Sequence, residues 1–170
     1  MIRALAVVLA AALGACVQAS SPSNAISGRL TPEYVGAFIS PAIEAGGPLV
    51  FATSPGGRYQ PAIARRILQL RIPTRVAAGH RIESMAAILF VMGGERTLEA
   101  GSNACFHRPH CVPPGTCSHE EEGTNNDEIR RLLRQRGLPE WFVTRAMELE
   151  GRAVWCPTRP EWHAVGVDAR

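Results

Sequence analysis

The stretch Glu83-Ser84-Met85-Ala86-Ala87-Ile88-Leu89-Phe90-Val91 decides the fold of this chain. It places one serine at the start of an uninterrupted apolar run, and Gly93-Gly94 follows the run as a stop. Residues 84–91 are therefore predicted to form an apolar helix that begins at Ser84.

Segments before and after this helix alternate between strand and helix patterns. The apolar run Leu49-Val50-Phe51-Ala52 is typical of a buried parallel strand. Residues 60–70 carry Ile and Leu on one face and Arg on the other, which predicts an amphipathic helix. Further strands are predicted at 26–30, 74–78 and 103–107, and a helix at about 32–45. This order predicts βαβ units and an α/β fold with a largely parallel sheet.

The C-terminal part of the chain begins with an irregular segment. Residues 109–126 are rich in Pro, Gly, Cys, acid and His, and are expected to form a loop-like insertion. Helices are expected over 127–136 and 140–150, and a last short helix starts at Thr158. The predicted organisation is a signal at 1–19, a linker at 20–25 and one domain over 26–168.

Composition excludes several classes of function. The chain has 170 residues and is 46% hydrophobic, so it can bury a core. Its net charge of +3 is too mild to indicate a nucleic-acid partner. All 18 basic residues are Arg, and the absence of Lys excludes Ser/Lys dyads and Schiff bases.

The N-terminus is typical of an export signal. One Arg precedes the apolar run Ala4–Leu13, which is too short to span a bilayer. Leu13-Gly14-Ala15-Cys16 resembles a bacterial lipobox, in which Cys16 becomes the lipidated first residue. The alternatives are ordinary cleavage after Val17-Gln18-Ala19, or a cytosolic protein with an apolar first helix. We expect a periplasmic lipoprotein, held at the membrane by this anchor.

Four further cysteines follow the signal: Cys105, Cys111, Cys117 and Cys156. An even number in an exported chain indicates disulfides, although more than one pairing is open. Val-Pro-Pro-Gly-Thr between Cys111 and Cys117 would let these two close locally. That pairing would leave Cys105 to bond with Cys156.

The position of Ser84 at the start of the helix allows two interpretations. A serine that opens a helix is most often an N-cap, which stabilises the helix by about 1 kcal/mol. The same position places the hydroxyl beside free backbone N–H groups, which favour a developing oxyanion in acyl transfer.

Two other segments supply what a serine nucleophile needs. Gly56-Gly57 follows a buried strand and could present N–H groups to a substrate, although such a dipeptide is commonly just a tight turn. His107 follows another strand and is the natural base, although a histidine in this position is commonly structural.

These segments resemble the proteolytic subunit of the Clp protease. Four segments of that family have counterparts here in the same order: Asn-Ser-Pro-Gly-Gly, Ala-Ser-Met-Gly/Ala-Ala, Ile-His-Gln-Pro and the terminal Pro-Glu segment. The counterparts are Ser54-Pro55-Gly56-Gly57, Glu83–Leu89, Phe106-His107-Arg108-Pro109 and Pro160-Glu161 through Asp168. The chain also resembles exported Clp-like proteins of bacteria. The resemblance implies a crotonase-like ββα spiral.

The resemblance also implies roles for individual residues. Ser84 would be the nucleophile and His107 the general base. Gly56 and Met85 would supply the oxyanion N–H groups, with Gly57 adjacent. Glu150 occupies the place of the family's third residue, an Asp, and Glu148 could substitute for it. The expected function is a Clp-like serine peptidase that needs no cofactor.

This chain departs from the cytosolic enzyme in its environment and its insertion. The cysteine-rich 109–126 segment is foreign to that enzyme, and an exported protein lacks ATP and the unfoldase partner. The expected substrates are therefore peptides or unfolded polypeptides, and the resemblance allows a homo-oligomer. The alternative is a catalytically inactive envelope lipoprotein that keeps the fold and acts as a binding or structural module.

A zinc site is the rival interpretation of residues 105–119. Cysteine and histidine side chains in this segment are zinc ligand types. No pair has the compact spacing of a structural zinc site, and an oxidising compartment favours disulfides, so we expect no metal.

Overall fold

Strands and helices alternate along this computed structural model, which describes residues 25–110, 118–149 and 153–170. The strands are β1 (Leu49–Phe51), β2 (Thr74–Val76), β3 (Arg81–Glu83), β4 (Arg96–Leu98), β5 (Asn103–Cys105) and β6 (Asp168–Ala169). The helices are α1 (Pro32–Tyr34), α2 (Ser40–Glu44), α3 (Pro61–Leu70), α4 (Met85–Val91), α5 (His119–Gln135), α6 (Glu140–Ala146) and α7 (Arg159–Ala164). A π-helical segment, Val35–Ile39, joins α1 to α2.

All named strands lie in two parallel sheets. The larger has the order β1-β2-β4-β6, with Phe51 beside Val76 and Val76 beside Leu98. The smaller pairs β3 with β5, and Ser54 extends it by a parallel bridge to Ile82. The predicted α/β class with a largely parallel sheet is confirmed.

The chain advances as a spiral in which each turn visits both sheets before it forms a helix. One turn runs through β2, β3 and α4, and the next through β4, β5 and α5. The preceding turn has the same order, with β1, the Ser54 bridge and α3. This repeated order is the predicted ββα spiral.

Helix α4 is the centre of the core. Every one of its residues from Met85 to Val91 is at most 3% exposed. A helix that is apolar all round is stable only when neighbours cover it on every side. Here α3 and α5 pack on α4, and strands β2, β3 and β5 also contact it.

Three strands, β3, β4 and β6, were missed in the sequence because they are short and contain few buried apolar residues. β3 lies between the strand predicted at 74–78 and Ser84, and only Ile82 of its three residues is buried. β4 lies between α4 and the Asn103 strand. Strands of two or three residues show too little alternation to predict, and pairing with neighbouring strands decides where they form. The strand expected at 26–30 contacts its neighbours by isolated bridges at Ile26 and Leu30.

Helix α5 corrects the expected loop over 109–126. It begins at His119, so residues 119–126 are helical and the helix starts well before position 127. Ser118 and Glu121 form a capping box, and three glutamates in the first turn suit the positive end of the helix. The next helix, α6, ends at Ala146, short of the predicted residue 150.

A disulfide joins Cys105 to Cys156, in agreement with the expected pairing. It fastens β5 to the segment after residue 153, where Phe106 and Trp155 exchange two backbone hydrogen bonds of 2.7 Å. Cys16, Cys111 and Cys117 lie outside the described residues, as do the signal and the linker up to residue 24.

Across the described ranges, none of the helices combines the length and apolarity needed to cross a membrane.

Replacing both Cys105 and Cys156 by Ser should destabilise the fold. The bond spans 51 residues of sequence, and a loop of that length corresponds to about 4 kcal/mol of lost chain entropy in the unfolded state. Urea unfolding monitored by tryptophan fluorescence measures the change in the free energy of unfolding. An unchanged midpoint and slope would contradict a stabilising bond.

Candidate active site

The three predicted motif segments meet because they follow neighbouring strands of the smaller sheet. Ser54 is bridged to Ile82, and Glu83 is the register partner of Cys105. The carboxyl ends of parallel strands meet at one edge of a sheet, where ligands of open α/β folds commonly bind. The chain leaves these three ends into the Gly56-Gly57 turn, Ser84 and His107 respectively.

A cavity of about 490 Å³ lies at this edge, a size typical of small-ligand pockets. Five of the residues predicted to form the site line it: Gly56, Gly57, Ser84, Met85 and His107. The tertiary structure therefore brings these predicted residues together. Glu150 lies outside the described residues.

Ser84 does not cap helix α4. An N-cap residue has an extended backbone and its side chain accepts an N–H of the first turn. Ser84 instead has φ 54° and ψ −127°, and its side chain makes no capping hydrogen bond. Its N–H donates to the Cys105 carbonyl oxygen at 3.0 Å. A non-glycine residue in such a conformation costs on the order of 1–3 kcal/mol, and such strain clusters at functional sites.

Gly56 lies directly against this strained serine. It has φ +83°, and a Cβ built on it would lie 2.6 Å from the Ser84 Cβ and 3.0 Å from the Met85 nitrogen. Only a glycine permits this close approach. A side chain on Gly57 would likewise collide with the Leu30 carbonyl group.

The two glycine N–H groups differ in their partners. The Gly56 N–H donates to Ser54 Oγ at 3.2 Å, and this buried hydroxyl donates to the Gly28 carbonyl oxygen at 2.6 Å. The Gly57 N–H has no acceptor among the residues that the structure describes. The N–H available to a ligand is therefore that of Gly57.

His107 is half-buried, and a backbone carbonyl orients its ring. Nδ1 lies 2.9 Å from the Arg108 carbonyl oxygen. Because a carbonyl oxygen only accepts, Nδ1 carries the proton, and Nε2 of the neutral ring has the free lone pair. The His110 ring lies beside it, with centroids 5.3 Å apart. Within the described part of the chain, no hydrogen bond joins His107 to Ser84.

The chain preceding Glu150 lies beside the His107 segment. The Arg108 N–H donates to the carbonyl oxygen of Leu149, which immediately precedes Glu150, at 2.7 Å. Glu148 is exposed. The role of either carboxylate as the third residue stays a prediction.

The remaining cavity wall was missed in the sequence. It consists of Arg29, Arg58 and Tyr59 near the glycine turn, Pro55, Pro109 and His110, and Glu122, Asn125 and Ile129 of α5. The last three are spaced by three and four residues, which is one face of a helix. The expectation of a loop up to residue 126 hid this periodicity.

The zinc interpretation loses one of its ligands, because the Cys105 sulfur is bonded to Cys156. Among the described side chains, no three His, Cys, Asp or Glu residues are grouped closely enough to hold a metal ion.

No protein-family model matches this chain, and no curated protein matches it either. Solved structures do. A serine-to-alanine variant of 1510-N, a membrane-bound stomatin-specific protease, aligns with a TM-score of 0.61 at 16% identity, covering 85% of this chain and 75% of that one. ClpP1 from Listeria monocytogenes aligns with a TM-score of 0.60 at 12% identity, covering 86% and 91%. An asparagine-to-aspartate variant of the same ClpP1 gives 0.60 at 13% identity, covering 85% and 88%.

These similarities at low identity establish the fold. The protein has the Clp-like crotonase fold that the motif resemblance implied.

Replacing Gly56 by Ala should destabilise the protein far more than replacing Gly28 by Ala. Both glycines have positive φ, so each substitution costs about 1–2 kcal/mol of backbone strain. Nothing lies within 4 Å of a Cβ on Gly28, whereas a Cβ on Gly56 meets the Ser84 turn. Chemical denaturation of both variants measures the difference, and equal losses would contradict the close packing.

Tyr59 gives a prediction at high pH. Burial raises its pKa to about 12, and its buried hydroxyl has no hydrogen-bond partner among the described residues. The folded state thus holds the phenol proton more tightly than the unfolded state. The resulting stability is present below pH of about 10 and is lost as pH rises towards about 12. Tyr59→Phe should flatten this loss in unfolding experiments over that range, and an unchanged slope would contradict it.

Proposed function

We propose that this protein is a serine hydrolase that cleaves peptides, with Ser84 as its nucleophile. The observation that carries the proposal is the strained Ser84 backbone, held in a cavity with His107 and with the Gly57 N–H, which has no acceptor among the described residues. A plain helix cap would need neither the positive φ nor the glycine packed against it. Both features suit a nucleophile exposed at a strand-to-helix turn.

The reaction would follow the acyl-transfer scheme. Ser84 Oγ attacks the substrate carbonyl carbon while His107 Nε2 takes the hydroxyl proton. The N–H groups of Gly57 and Met85 stabilise the oxyanion of the tetrahedral intermediate. His107 then donates its proton to the leaving amine, and the acyl group remains on Ser84. Water, deprotonated by His107, attacks this ester, and the carboxylic acid leaves as Ser84 regains its proton.

We assign the first oxyanion donor to Gly57 rather than Gly56. The Gly56 N–H is committed to Ser54 Oγ, whereas the Gly57 N–H is available. Gly56 instead permits the close approach to Ser84. The two glycines thus have separate roles: Gly57 donates its N–H, and Gly56 allows the close backbone approach.

The third member of the site would be Glu150, with Glu148 as the alternative. The acceptor now seen at His107 Nδ1 is a neutral carbonyl. A carboxylate stabilises an imidazolium more strongly than a carbonyl does, so its approach would make His107 a stronger base.

We also propose export and lipid anchoring at Cys16, with peptides or unfolded chains as substrates and a homo-oligomer as the assembly. The signal-like segment supports export, and the Cys105–Cys156 disulfide suits an oxidising compartment.

A fluorophosphonate probe tests the catalytic proposal directly. It should label the purified protein, without its signal, at near-neutral pH, and Ser84→Ala should abolish the labelling. Ser40→Ala is the matched control, because Ser40 lies on α2 outside the cavity. His107→Gln should slow labelling by about 100-fold or more, since the general base is lost.

Circular dichroism of each variant separates loss of reactivity from loss of fold. A folded wild-type protein that resists labelling across neutral pH would overturn the hydrolase proposal. The protein would then be better described as a binding or structural module with this fold.

A further inference from the structure

Two arginines line the candidate site beside its glycine turn, and the catalytic scheme uses neither. The Leu30 N–H donates to the Gly56 carbonyl oxygen at 2.8 Å, and the Arg58 N–H donates to the Leu30 carbonyl oxygen at 3.0 Å. Leu30 and Gly57 are therefore paired across this parallel bridge. Arg29 and Arg58 flank that pair.

The bridge directs both side chains to the same side. Successive residues of extended chains point to opposite faces. Leu30 is fully buried in the core, so its neighbour Arg29 faces outward, and Arg58, next to Gly57, does the same. Both arginines are exposed, and both line the cavity that holds Ser84.

Neither arginine has a salt-bridge partner among the residues that the structure describes. No salt bridge within 4.0 Å involves Arg29 or Arg58 among the described residues. Arg58 has only a minor electrostatic influence on the pKa of Glu33. The carboxylate among the described lining residues is Glu122, which belongs to α5. The side of the cavity next to Gly57 is therefore cationic.

We infer that Arg29 and Arg58 form a subsite for a carboxylate of the peptide substrate. The inference rests on the proposed hydrolase function. A scissile carbonyl held by the Gly57 N–H brings the adjoining part of the substrate past these two side chains. Guanidinium groups bind carboxylates with paired, charge-assisted hydrogen bonds, which favours them over neutral amides. The carboxylate would come from an acidic side chain or from the free C-terminus of a short peptide.

Four fluorogenic peptides distinguish these two sources. They carry either Glu or Gln next to the scissile bond, and each ends in either a free carboxylate or an amide. The wild-type protein should cleave an acidic member about 10-fold faster, in kcat/KM, than its neutral counterpart. A difference that follows Glu against Gln identifies the side chain, and one that follows acid against amide identifies the C-terminus.

Arginine variants assign the preference to the subsite. The double variant Arg29→Gln/Arg58→Gln should cleave the acidic and the neutral peptides at equal rates. Arg66→Gln, which removes an exposed arginine of α3 outside the cavity, should keep the preference. Arg29→Glu/Arg58→Glu should favour a Lys-containing peptide over the Glu peptide.

Binding to the Ser84→Ala variant separates this inference from the catalytic proposal. Fluorescence anisotropy should show tighter binding of the acidic peptides, lost in the Gln/Gln background and weakened as salt rises from about 0.05 M to about 0.5 M. Cleavage without any preference for a carboxylate, together with equal binding, would overturn the subsite and leave the hydrolase standing. Binding that depends on the two arginines, in a protein whose Ser84 is not labelled by the fluorophosphonate probe, would support the subsite and overturn the hydrolase proposal.

Discussion

The parallel pairing within the smaller sheet is the constraint on which the site depends. The Ser54–Ile82 bridge and the Glu83–Cys105 register align three strand ends at one edge. The hydrogen bond from the Ser84 N–H to the Cys105 carbonyl oxygen continues that alignment past the strand end. A slip of one residue would turn every side chain of a strand to the opposite face of the sheet. Because such a slip would expose the buried Ile82, its burial also stabilises this register.

Strain at Ser84 is offset by the packing around it. The residue holds a positive φ between β3 and a helix whose residues are almost completely buried. Gly56 packs its backbone directly against it, and Ser54 Oγ holds the glycine turn by donating to the Gly28 carbonyl oxygen and accepting from the Gly56 N–H. Core burial of this extent gives on the order of 1.5–3 kcal/mol for each large apolar side chain, which readily exceeds a local strain of similar size.

The C-terminal segment adds a second support on the histidine side of the cavity. Three connections hold the chain on either side of His107. They are the disulfide at Cys105, the paired hydrogen bonds between Phe106 and Trp155, and the Arg108–Leu149 hydrogen bond. Phe106 also contacts Phe142 and Trp162 in an aromatic cluster. The proposed base, His107, would therefore lie on a segment that these connections hold in place. Helix α5 contributes Glu122 and Asn125 to the lining of the cavity.

The sequence by itself determined the α/β class, the apolar helix after Ser84 and the identity of the motif residues, because apolar runs and glycine turns are local signals. It also indicated the Cys105–Cys156 pairing and a last short helix that starts at Thr158, where the structure shows a capping box. Only the tertiary structure decided that β3, β4 and β6 are strands, that α5 starts at His119, and that Ser84 is strained rather than a cap. It likewise decided that Gly57 has the available N–H and that Arg29 and Arg58 meet at the cavity. The physical reason is that strand register and close backbone approach join residues far apart in sequence, and no local pattern encodes them.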